Sequence, residues 1–142
     1  MRLFGIALCS IAALSIVPVG YAQKPAPAVT NVLFQCDCDT ELASRYATEV
    51  RDLLAKSPRY AEAQLTDKGP DGNPTFNWVI YVSSGPVDDS GPLSNLLVLS
   101  VVFTWQNDFR ANYALVCGGP KISTCAVNTL ASLDKTIHAK SD

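Results

Sequence analysis

The residues best suited to chemistry are the run Cys36-Asp37-Cys38-Asp39 and a second pair of cysteines, Cys117 and Cys125. Two thiolates separated by one residue can bind a soft metal or cycle between dithiol and disulfide. They precede a predicted helix, whose positive N-terminal dipole end lowers the pKa of a nearby thiol. Cys36 and Cys38 are therefore candidate metal or redox residues. Structural zinc, however, asks for four ligands and usually a C-x₂-C spacing. Beyond this cluster the chain offers only Cys117, Cys125 and its single histidine, His138. The simpler reading is structural. In an exported chain an even cysteine count suggests disulfides, and four cysteines allow three pairings.

The favoured pairing is Cys117–Cys125, with Cys36–Cys38 by elimination. Cys117 ends a predicted strand, Gly118-Gly119-Pro120 reverses the chain, and Cys125 falls on the first turn of a helix. Closing that loop would contribute roughly 2–3 kcal/mol through the entropy of the unfolded chain. The rival pairing joins Cys36 or Cys38 to Cys117 across neighbouring strands.

The other polar clusters are loop acids. Asp67, Asp71 and Asn73 lie in DKGPDGNP, and Asp88 and Asp89 lie in SGPVDDSGPLS. The first run lacks calcium-loop spacing and its closing glutamate, so turn chemistry accounts for it. Both loops are candidate binding regions, because loops carry binding function more often than cores do. His138 sits in the last turn of a predicted helix, where partial positive charge suits the dipole. A lone terminal histidine argues against Ser-His-Asp or Cys-His hydrolysis. No G-x-S-x-G, H-E-x-x-H or phosphate-binding loop occurs. A hydrolase built on two carboxylates remains as a third reading, although no acid lies within an apolar strand.

The address constrains these chemistries. Arg2, the apolar run 3–17, the break at Pro18 and Gly20, and the small residues Gly20 and Ala22 read as a signal peptide cut after Ala22. Residues 1–22 are thus expected to be removed, 23–30 to form a Pro/Ala-rich linker, and 31–142 to fold as a single domain. Cys9 belongs to the signal, since Leu8 occupies a position where a lipoprotein signal needs a small residue. The signal carries one of the 11 basic residues and no acid. The remainder therefore has 10 basic and 13 acidic residues, a net charge of −3. That balance disfavours nucleic acid as a partner. No second long apolar segment follows, so no membrane span is expected after signal removal.

These residues are positioned around 96–105, LLVLSVVFTW, an uncharged run that reads as a strand covered on both faces. Further strands are predicted at 31–35, 59–66, 75–83 and 112–117, the 59–66 strand half exposed and at an edge. A helix begins at Asp39 with the apolar stripe Leu42, Tyr46, Val50, Leu53 and Leu54, and ends at Ser57-Pro58. A closing helix carries Ile122, Ala126, Leu130, Leu133 and Ile137. The expected fold is α+β: a mainly antiparallel sheet of four to five strands with both amphipathic helices on one face. The other face is also apolar, at Val79, Tyr81, Val98 and Val102, so a second copy of the chain is a candidate cover. The helix-to-strand run LLAKSPRYAEAQL is similar in layout to several bacterial envelope assembly domains; no motif matches residue by residue, and no family is assigned.

The reading that results is an exported, disulfide-stabilised, non-catalytic binding module of the periplasm or extracellular space. It needs no cofactor, and its partner is an unidentified protein or small molecule. The alternative is a thiol–disulfide or soft-metal protein working through Cys36 and Cys38.

Overall fold

The computed structural model describes residues 28–85 and 95–139. The expected signal peptide, most of the expected linker, and Asp88 and Asp89 lie outside the described residues. The chain runs β1 (Thr30–Asp37), α1 (Glu41–Lys56), β2 (Tyr60–Ala63), β3 (Trp78–Ser84), β4 (Leu96–Trp105), β5 (Asp108–Gly118), a 3₁₀ turn (Gly119–Lys121) and α2 (Ile122–His138). The strands form one sheet in the order β2-β1-β3-β4-β5. The fold is α+β, as its composition of elements suggests.

The sheet is mixed, so the expectation of a mainly antiparallel one holds for most of its pairing but not all. β3, β4 and β5 do form an antiparallel meander. β1, however, lies between β2 and β3 and runs parallel to both. Parallel neighbours need a long crossover, and α1 supplies it between β1 and β2. Residues 64–77 then carry the chain from β2 across β1 to β3 without a helix. They cross the face opposite the helices, where the Asn31 side-chain amide donates to the Thr75 carbonyl at 3.0 Å. This crossing accounts for the burial of Leu33, Ala63 and Val79, register partners on that face.

The helix-facing side of the sheet is the core. Alternate residues Val32, Phe34, Ile80, Leu99, Val101 and Phe103 are buried there. The alternation in 96–105 means that only one face of β4 is fully covered, because Val98 and Ser100 are exposed. Edge strand β2 is shorter than expected, and Leu65 beyond it is exposed. Its inward Glu62 accepts from Arg51 Nε at 3.1 Å, and Arg51 also stacks over Phe34. A charge on the inner row of an edge strand discourages further strand pairing.

α1 starts one residue later than expected. Thr40, not Asp39, is the cap, and its hydroxyl accepts from the Ala43 N–H at 3.1 Å. At the other end Ser57 Oγ accepts from the N–H groups of Arg59 and Tyr60. The two helices are joined through one buried polar contact: the Tyr46 and Thr129 hydroxyls lie 2.6 Å apart, and Thr129 donates to the Cys125 carbonyl. Burial pushes the Tyr46 phenol pKa well up, so it remains a neutral hydrogen-bonding group.

Thr129→Val keeps the shape but strands the Tyr46 hydroxyl, and should cost about 1–3 kcal/mol. Tyr46→Phe leaves Thr129 bonded to Cys125 and should cost about 1 kcal/mol. Urea unfolding of the two variants checks the order; a larger loss for Tyr46→Phe would contradict it.

Candidate functional site

β1, β3 and β5 all end where both helices begin, and this end carries all four cysteines outside the expected signal. Cys36 and Cys38 have Cα atoms 5.3 Å apart, and Cys117 and Cys125 are 6.3 Å apart. Both distances lie within the range of roughly 4.4–6.8 Å that a disulfide spans. Cys36 shares the helix-facing row of Val32 and Phe34, and both Cys36 and Cys38 pack against the core. Cys117 and Cys125 are buried. Among the described residues, no group of three or more His, Cys, Asp or Glu is arranged to hold a metal.

Of the two loops singled out from sequence, only the first is described, at the start of β3; Asp88 and Asp89 of the second lie outside the described residues. Asp67 and Asp71 are engaged within their own loop. Asp67 accepts from the Gln64 N–H at 2.7 Å. Asp71 accepts from the backbone and side-chain N–H groups of Asn73, which hold its carboxyl below the usual range. The same loop walls a cavity of about 430 Å³ against the β4–β5 turn. Asp71 and Asn73 meet Phe76, Asn77, Gln106 and Asn107 there.

That turn is tighter than expected from sequence. It has two residues, Gln106 and Asn107, both in the left-handed region at φ 50° and 67°, as a two-residue hairpin requires. The Gln106 N–H donates to the Asn77 carbonyl at 2.8 Å and fixes turn against loop. One residue on, the pairing shifts between Phe103 and Thr104. Arg110 is left as the extra residue, stacked 5.0 Å over Trp105. Asn77, Gln106 and Asn107 were not singled out as site residues. The available signal was the amide-rich N/QN composition of both segments, which acquires meaning only when register brings them together.

The second surface is the uncovered half of the sheet. Loop 64–77 covers only one part of this face. Tyr81, Val98 and Val116 remain 43%, 40% and 63% exposed, and Val102 is half-buried between Tyr81 and Asn112. Val79, expected among them, is instead buried. A shallow concavity of about 410 Å³ beside Tyr81 and Val102 is completed by Gln35, Asp37, Ser83 and Ser100.

His138 stands apart from both surfaces. Its Nε2 lies 3.8 Å from Asp134. Asp134 accepts from Arg59 at 2.5 Å and from the Tyr60 hydroxyl at 2.7 Å, tying β2 to α2. These bonds hold the Asp134 carboxyl below its usual range. No helix among the described residues is long and apolar enough to cross a membrane.

No protein-family model matches the chain, and no curated protein does. Among solved structures it is similar to TolB from Acinetobacter baumannii, with a TM-score of 0.57 and 11% identity. The match covers 80% of this chain and 30% of TolB. At that identity the likeness is one of fold.

Cys117→Ser with Cys125→Ser should lower the unfolding free energy by roughly 2–3 kcal/mol. Cys36→Ser with Cys38→Ser, which opens a much smaller ring, should cost about 1 kcal/mol less than that. Denaturant midpoints of the two double variants check the difference, and an equal or reversed order would contradict it.

Proposed function

We propose that the protein is an exported, disulfide-stapled binding module without catalytic function, acting in the periplasm or extracellular space through the uncovered half of its sheet. The observation that carries the reading is the exposed apolar surface of Tyr81, Val98 and Val116 on the antiparallel strands β3, β4 and β5. Apolar side chains gathered on one face, beside polar neighbours such as Ser83 and Ser100, are characteristic of protein contact surfaces. The signal-like residues 1–22 and the two cysteine pairs support export. The inward placement of Cys36 and the partial burial of Cys38 favour a structural disulfide over an exchangeable one, since reactive thiols need exposure. The carboxylates of Asp67 and Asp71 are bonded to their own loop, which argues against a carboxylate pair poised for hydrolysis.

A photo-crosslinking residue placed at Val98 or Val116 in the exporting cell tests the surface. The expected result is a light-dependent adduct of defined mass at both positions and none at Asp52 on the exposed side of α1. An adduct of twice the chain mass would identify the partner as a second copy. No adduct at Val98 and Val116, or equal adducts at Asp52, would overturn the assignment.

A further inference from the structure

We propose that the cavity between loop 64–77 and the β4–β5 turn binds a neutral saccharide, independently of the sheet surface assigned above. Its volume of about 430 Å³ falls in the usual range for small-ligand sites, roughly 300–1,000 Å³. Four of its lining residues carry side-chain amides, Asn73, Asn77, Gln106 and Asn107, of which Asn73 already donates to Asp71. An amide offers both donors and acceptors, and so does every sugar hydroxyl. Phe76, half-buried in the lining, supplies the apolar contact that the C–H face of a pyranose needs.

The lining also disfavours other ligand classes. No Lys or Arg lines the cavity, and Asp71 is there, so an anion would meet a carboxylate without a compensating cation. Asp71 is the one carboxylate in the lining, and no group of three or more His, Cys, Asp or Glu among the described residues could hold a metal ion.

The choice of residues around the turn fits a ligand of this kind. Asn77, Gln106 and Asn107 are exposed and their side chains make no hydrogen bond among the described residues, so their amides are open to a ligand as they are to water. Gln106 holds φ 50°, a conformation that Gly, Asn or Asp adopts more readily. Glycine would relieve that backbone cost but would remove the amide. Beside the cavity floor, Thr104 Oγ1 is buried with no hydrogen-bond partner, directly across the ladder from Val79.

The test is an NMR titration of the isotope-labelled chain with glucose, galactose, N-acetylglucosamine, maltose and cellobiose. At least one sugar should give saturable shifts confined to 71–79 and 104–107, and inorganic phosphate should give none there. Gln106→Gly should weaken that binding at least about tenfold with an equal or higher melting temperature, because the backbone is relieved. Asn77→Ala should weaken it similarly. The proposal is overturned if none of the five sugars saturates, if phosphate shifts the same residues, or if both variants bind like wild type.

Discussion

The structure depends on the insertion of β1 between two strands that run parallel to it. A parallel pair cannot be closed by a tight turn, so both connections that leave the β1–β2 region must cross the sheet. α1 crosses on one face and loop 64–77 on the other. The first crossing creates the core between sheet and helices, and the second buries Leu33, Ala63 and Val79 on the opposite face. Because the loop stops at β3, the antiparallel half of that face stays open. The exposed row of Tyr81, Val98 and Val116 is thus a consequence of topology.

The same constraint divides the molecule into two ends. β1, β3 and β5 finish together, so α1 and α2 start together, and the cysteine pairs collect at that end. Cys36 and Cys38 hold the exit of β1, and Cys117 and Cys125 hold the entry to α2. The opposite end has no cysteine among the described residues. There the loop and the β4–β5 turn are joined by the Gln106–Asn77 backbone bond, with an amide-rich cavity between them. The cysteine end is where the two helices start, and their Tyr46–Thr129 contact lies in the core.

Local pattern made much of this legible. The 96–105 run, both apolar helix stripes, the Ser57-Pro58 stop and the antiparallel β3–β5 meander follow from residue types and spacing. Strand order does not, because nothing in NVLFQ states which neighbours it takes; the helix crossover after it was the available signal. The faces of β3 were read correctly, yet Val79 and Tyr81 look equivalent in sequence, and only the path of 64–77 separates them. Asp71 and Asn73 were legible as loop residues. Gln106 was legible as the start of a turn over 106–111, but not as half of a two-residue hairpin, because glutamine is not a turn former and its left-handed backbone is imposed by the register of β4 and β5. Thr40 took the cap from Asp39 because either side chain can cap a helix, and the true start of α1 decides between them.

The central claim is that the cysteines of an exported chain serve the fold rather than chemistry. The most direct measurement is the intact mass of the purified protein after alkylation without reduction. The account predicts a chain lacking residues 1–22, with no added alkyl group, and therefore with Cys36, Cys38, Cys117 and Cys125 all paired. Alkylation of Cys36 and Cys38, or retention of residues 1–22, would contradict it.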